Sequence, residues 1–291
     1  MQEADRLMAE LLKGKAVADA INLKSKETVN ALKEKGITPA LAIFRVGEKD
    51  SDLSYERGAL KRCNEVGVEV KQFIFPEDVS QEDFNRALDE ANSDKNIHGI
   101  LVFRPLPKRF DDEKLRNHIA AEKDVDGCSD LSLAGVFTNK ELGFAPCTAQ
   151  SVIEILDHYQ IDIKGKNVVV LGRSLVIGKP VSMLLLNRNA TVTICHTRTV
   201  NVTDIASKAD ILICATGQME SVTKEYVNPD QIVIDVGISW NEEKQKLCGD
   251  VLFDDVEGNV RAITPVPGGV GSVTTSVLIS HVVEACKRSA E

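Results

Sequence analysis

The sequence predicts an α/β protein of two domains, each built on a parallel sheet. Its 291 residues exceed what one domain of ordinary size needs. Short apolar runs alternate with amphipathic stretches along most of the chain, which is the signature of strand–helix repeats. Several of those runs, such as 41–44 and 168–171, contain no polar residue, as expected of strands covered on both faces.

Residues 4–35 place Leu7, Leu11, Leu12, Val17, Ile21, Val29 and Leu32 at helical spacing and read as one or two amphipathic helices. Pro39–Val46 reads as a buried strand and 54–66 as a helix stopped by Gly67. Val68–Phe75 alternates like a strand, Ser80 caps a helix to Asn92, and Gly99–Phe103 is a further apolar strand. From Pro105 to about Asp130 the chain is rich in Pro, Lys and Asp; no regular element is predicted, and the stretch is a candidate ligand loop. A helix over 148–159 leads to a second unit with strands at 166–171, 191–195, 210–214 and 231–236. A last helix, Ser272–Arg288, is placed back with the first domain.

Acidic residues outnumber basic ones 44 to 35, giving a net charge of −9. That excludes nucleic acid or an anionic membrane as the main partner and leaves room for a small anionic ligand. Seven cysteines without a CxxC pair fit reduced thiols in a cytoplasmic protein. Five histidines with no His-x-x-x-His pair give no metal site. The first 21 residues mix charges with apolar positions, so they read as neither signal peptide nor membrane span.

The strongest local motif is an apolar strand running into Gly172-Arg-Ser-Leu-Val-Ile-Gly178, followed by a helix. A helix N-terminus with glycines beside it lets the backbone approach a phosphate; the alternative is an ordinary tight turn. About 20 residues on, where an NAD site places an acid, this chain has Thr197 and Arg198. With Arg173 they suit a 2′-phosphate, favouring NADP over NAD, unless Arg198 is one more solvated surface arginine. His196, Cys147 and Cys195 read as structural. Ala262–Gly271 is too rich in Pro and Gly to be helix or strand and reads as a rigid ligand-facing loop.

Pro265-Val-Pro-Gly-Gly-Val-Gly271 strongly resembles a segment of the methylenetetrahydrofolate dehydrogenase/methenyltetrahydrofolate cyclohydrolase family. So do Lys123-Asp-Val-Asp-Gly127, the Ser174, Gly178 and Pro180 spacing, and Pro146-Cys-Thr148. The resemblance implies two α/β domains around a cleft, the second a Rossmann-like nucleotide-binding domain with a parallel sheet. It implies residues 1–146 with the helix 272–291 as the folate-binding catalytic domain, and 147–271 as the NADP-binding domain. The implied activity oxidises 5,10-methylenetetrahydrofolate with NADP and hydrolyses the methenyl product to 10-formyltetrahydrofolate, in a cytoplasmic homodimer. Tyr55 and Asp126 match catalytic and substrate positions, Pro267, Gly268 and Gly269 line the folate side, and Gly172, Arg173, Ser174, Thr197 and Ile238 line the nucleotide.

The pattern breaks at two places. Ala59 stands where the family has lysine one turn after the tyrosine, and Phe103 replaces the glutamine paired with that lysine. Lys61 falls about 120° around the helix from Tyr55, and Arg62 returns to its face roughly 10 Å along the axis. The expectation is therefore a dehydrogenase with weak or absent cyclohydrolase activity, served by a separate cyclohydrolase. Rescue by Arg62 or Arg104 and a non-catalytic folate- or nucleotide-binding protein are the other readings. Ser272 stands where proline is usual.

Overall fold

Chain order sets the architecture. In the computed structural model, which describes residues 8–290, strand β1 is Glu10–Leu11 and helix α1 is Gly14–Glu34. The reading of 4–35 as one or two helices is thus corrected: a strand precedes one helix, and Leu7 lies outside the described residues. Leu11 and Leu12 belong to an extended segment because Leu12 N–H donates to the Ile263 carbonyl at 2.9 Å, a pairing that local periodicity does not encode.

Next come β2 (Ala40–Val46), α2 (Asp50–Val66), β3 (Glu69–Phe75), α3 (Gln81–Ser93) and β4 (Gly99–Val102). Helix α2 ends as its sequence predicts, with Gly67 in the left-handed region at φ 92°. Helix α3 begins at Ser80, whose hydroxyl accepts from Asp83 N–H at 3.0 Å. The three strands form a parallel sheet in the order β3-β2-β4. Strand β2 is buried along its whole length. One face of the sheet packs Phe44 against Phe73 and Phe84, with Leu88, Ile100 and Phe110 in the same core. A buried ion pair, Arg45 Nε to Glu56 at 2.7 Å, ties β2 to α2. Gln72 also donates to Glu56, so the charge is shared among several polar groups.

A short helix, α4 (Asp112–Arg116), interrupts the stretch read as irregular, and α5 (Asp130–Thr138) follows it. Helix α6 is Cys147–His158. Then β5 (Asn167–Leu171), α7 (Gly178–Asn187), β6 (Thr191–Cys195), α8 (Val202–Ala206), β7 (Ile211–Cys214) and β8 (Ile232–Asp235) alternate. A β9–β10 hairpin (Ser239–Asn241, Lys246–Cys248), α9 (Phe253–Val256), β11 (Ala262–Ile263) and α10 (Thr274–Ala290) complete the chain.

The second sheet runs β1-β11-β8-β7-β5-β6, every pair parallel. Strands β7 and β8 are wholly buried, which explains the apolar run of β7 and of β8 up to its closing Asp235. The chain thereby divides into a three-stranded unit, residues 19–147 with 275–290, and a six-stranded unit, residues 8–18 with 148–274. The first described residues therefore lie with the six-stranded sheet, where the sequence reading had placed them with the other domain. Among the described residues, no helix is long and apolar enough to cross a membrane.

Candidate active site

In the six-stranded unit, β5 is flanked by β6 on one side and β7 on the other. The connections reverse direction there, and in open parallel sheets that point opens a crevice at the carboxyl ends of the strands. Gly172 leaves β5 at φ +127°, and a Cβ there would run into the Ala215 carbonyl at the end of β7. A Cβ on Gly178 would strike the Gly172 carbonyl. Both glycines are therefore required by the tightness of the turn. Ser174 Oγ accepts from Ile177 N–H at 3.2 Å, just ahead of α7. Gly172, Arg173, Ser174, His196, Thr197 and Thr216 line a hollow of about 320 Å³.

Arg198 lies one residue beyond this lining and is exposed. Its N–H donates to His196 Nδ1 at 3.1 Å, so that imidazole nitrogen is spent on shaping the turn. Ile238 is apart from the 320 Å³ hollow. With Pro267, Gly268 and Gly269 it lines a separate space of about 170 Å³ in the same unit. The loop there is fastened by Gly14 N–H donating to the Gly268 carbonyl at 2.8 Å.

Two buried acids beneath these hollows escaped the sequence reading. Asp235, closing β8, accepts from Gly237, Asp250 and Val251 N–H groups at 2.9, 3.0 and 3.0 Å. Burial pushes its carboxyl up to about 7, against the pull of those hydrogen bonds. Asp250 accepts from Thr216 and Gly217 N–H at 2.6 and 3.0 Å and so sets the floor of the larger hollow. The available signal was an acid ending an otherwise apolar strand, Ile232-Val-Ile-Asp235.

In the three-stranded unit, Tyr55 is carried by α2 and Asp126 by the turn before α5. The 123–127 segment divides its labour. Lys123 Nζ donates to the carbonyls of Ala91, Asn92 and Asp94 at 3.0, 2.7 and 2.7 Å. Asp124 accepts from Ser129 N–H at 2.8 Å and from the Ser132 hydroxyl at 2.6 Å. Both therefore hold the turn, whereas Asp126 has the Cys147 thiol as its hydrogen-bond partner. Its carboxyl is raised above the usual range by burial and then by Asp124, with Arg104 and Cys147 opposing. The Tyr55 ring is 39% exposed, while its phenol is held well above the ordinary value by burial, Cys147 and Asp126, with Thr275 as hydrogen-bond partner. It therefore remains a donor at neutral pH. Cys147 Sγ donates to the Val125 carbonyl at 3.2 Å, and His281 Nδ1 lies 2.8 Å from the same oxygen.

The replaced positions have defined surroundings. Ala59 is fully buried in α2. Phe103, 7% exposed, stands edge-on to Tyr55 with 5.6 Å between ring centroids. Lys61 is exposed. Arg62 pairs with Glu65 on its own helix at 3.2 Å. Arg104 turns inward: Nη1 binds Asp112 at 3.0 Å, and Nη2 lies 3.6 Å from Cys128 Sγ. Thr275 and His281, both from the last helix, were missed because nothing local in the sequence marks them.

Two family models match the chain. The catalytic domain of tetrahydrofolate dehydrogenase/cyclohydrolase matches residues 12–126, and the NAD(P)-binding domain of the same enzymes matches 146–290. The chain belongs to the tetrahydrofolate dehydrogenase/cyclohydrolase family. Within that family it is 52% identical over 281 residues to the bifunctional protein FolD of Carboxydothermus hydrogenoformans, covering 96% of this chain and 98% of the relative. It is 51% identical over 278 residues to the bifunctional protein FolD of Clostridioides difficile, covering 96% of each. A solved structure of the Campylobacter jejuni bifunctional enzyme FolD, methylenetetrahydrofolate dehydrogenase/cyclohydrolase, superposes with a TM-score of 0.93 at 35% identity, over 96% of this chain and 99% of that one. The Trypanosoma brucei dehydrogenase-cyclohydrolase, complexed with NADP cofactor and inhibitor, gives 0.91 at 34%, over 98% and 99%. The two α/β domains, one of them a Rossmann-like NAD(P)-binding domain, are those of the tetrahydrofolate dehydrogenase/cyclohydrolase family.

These matches correct the expectation of a dehydrogenase with weak or absent cyclohydrolase activity. The catalytic-domain match spans Ala59 and Phe103, and relatives similar over nearly their whole length are bifunctional. Hydrolysis needs a polarised water and managed charge rather than a lysine as such, and Arg104 and Asp126 lie in the same unit as the replaced pair.

Proposed function

We propose that this protein carries out both steps, NADP-linked oxidation of 5,10-methylenetetrahydrofolate and hydrolysis of the methenyl product to 10-formyltetrahydrofolate. The observation that carries the proposal is the likeness, across 96% of this chain, to bifunctional relatives. With both activities on one chain, no separate cyclohydrolase is called for.

The Gly172–Gly178 turn fits a dinucleotide, since its two glycines let the turn close tightly at the N-terminus of α7, beside the hollow of about 320 Å³. Gly172, Ser174 and Thr197 would take its phosphates and ribose, Arg173 and Arg198 the 2′-phosphate, and Ile238 the wall beside the ring. Bound NADP would supply the hydride acceptor. The chain's part in that step is positioning: Tyr55 offers an aromatic face to the flat pterin, Asp126 accepts from its amino-pyrimidine donors, and Pro267, Gly268 and Gly269 present backbone to the folate. All seven cysteines have thiols that burial pushes above the ordinary value as the leading cause. They fit a reducing cytoplasm, and a homodimer is the expected assembly.

Purified protein supplied with methylenetetrahydrofolate and NADP tests the reading. NADPH and 10-formyltetrahydrofolate should form together. Methenyl product that accumulates and hydrolyses no faster than in buffer would refute the second activity.

A further inference from the structure

Arg104 carries a feature that the dehydrogenation step does not use. Its guanidinium is anchored at one end by Asp112 and touches Cys128, while its Nε–H is buried with no hydrogen-bond partner. A buried donor left unpaired costs free energy unless a ligand or water takes it up. Arg104 follows directly on Phe103, whose ring packs against Tyr55. It also lies near enough to Asp126 that its charge favours the ionised carboxyl. The other cations considered for this place are turned away: Arg62 is paired with Glu65 and Lys61 is exposed.

We propose that Arg104 is a catalytic residue of the hydrolytic step, donating Nε–H to the oxygen that adds to the methenyl carbon and favouring the neutral adduct over the cationic substrate. This rests on the bifunctional reading. Water forms the new C–O bond at the methenyl carbon and releases one proton to solvent. The C–N5 bond then breaks, N5 takes up the second proton of the water, and the oxygen becomes the formyl oxygen on N10. The guanidinium is a permanent cation and transfers no proton. It holds the oxygen and opposes the positive charge that hydrolysis discharges. Hydride removal creates that same charge, so one fixed cation acts in opposite directions on the two steps.

The two steps are measured separately, dehydrogenation from methylenetetrahydrofolate and hydrolysis from methenyltetrahydrofolate supplied directly, in wild type, Arg104→Leu and Arg104→Lys. The ratio of hydrolysis to dehydrogenation should fall about tenfold or more in Arg104→Leu. Arg104→Lys, which keeps the charge, should restore most of it. A ratio unchanged in Arg104→Leu, including a parallel fall of both steps, would overturn the proposal. So would an Arg104→Lys variant no better than Arg104→Leu. Absence of hydrolysis in wild type would instead defeat the bifunctional reading itself, and this inference with it.

Discussion

The Phe103 ring stands edge-on to the Tyr55 ring, 5.6 Å between centroids and 82° between planes. The contact fixes the tilt of the face proposed to receive the pterin. An aromatic pair of this kind is worth about 1 kcal/mol beyond its buried area. Phe103→Leu should therefore raise KM for methylenetetrahydrofolate roughly three- to tenfold, with kcat changed less. Steady-state kinetics at saturating NADP reads this, and an unchanged KM would show that the ring pair positions nothing.

Gly178→Ala places a methyl group against the Gly172 carbonyl, with backbone on both sides of the clash. Relief requires the turn to open and the N-terminus of α7 to shift. The variant should lose about 2 kcal/mol or more of stability and bind NADP too weakly to titrate by fluorescence, while Gly258→Ala, in open space, serves as the control.

Arg173 lines the large hollow and Arg198 lies one residue beyond its lining. Replacing both with Gln should raise KM for NADP at least about tenfold and leave that for NAD nearly constant. Equal effects on the two cofactors would place the 2′-phosphate elsewhere.

His281 gives a pH signature to stability. Burial lowers its imidazole to about 4 from the ordinary 6.5. Between those values the unfolded chain binds a proton that the folded chain does not. The stabilisation is complete above pH 6.5 and is lost as pH falls toward 4, on the order of 3 kcal/mol in all. Asp235, raised to about 7, acts in the opposite sense as pH rises from about 4 to 7, and it is common to wild type and variant. Urea midpoints for wild type and His281→Gln should thus differ most at pH 7 and converge near pH 4.5. A gap that stays constant with pH would show that His281 is not held neutral.

The strand–helix alternation was legible because β2, β4, β5, β7 and β8 are mostly apolar runs, and Ser80 and Gly67 mark helix ends by chemistry that acts over a few residues. The turn at Gly172 was legible for the same reason. Strand β1 was not: two residues gain their conformation from Ala262 and Ile263, far along the chain. Asp126 could be singled out by its motif, but the division of labour among Lys123, Asp124 and Asp126 depends on which carbonyls and hydroxyls surround each side chain. Arg104 could be named from the sequence as a candidate for the missing lysine's place, but how its side chain is held could not. Its buried Nε–H is a property of the folded environment alone. The cyclohydrolase expectation failed because it rested on two positions, whereas the likeness to bifunctional relatives runs through the whole catalytic domain.

Pairing of Glu10 with Ala262 and Leu11 with Ile263 sets an order on the birth of the protein. The sheet's edge strand leaves the ribosome among the first residues and must wait for nearly the whole chain before its partner exists. The three-stranded unit waits as well, since its helix α10 follows β11 in the chain. Neither half is complete until those segments are made, and long-range closures of this kind fold slowly. A nascent chain arrested before residue 262 would hold a complete three-stranded sheet without its helix α10 and a larger sheet without β11, so both halves wait on the same late segment for the native state.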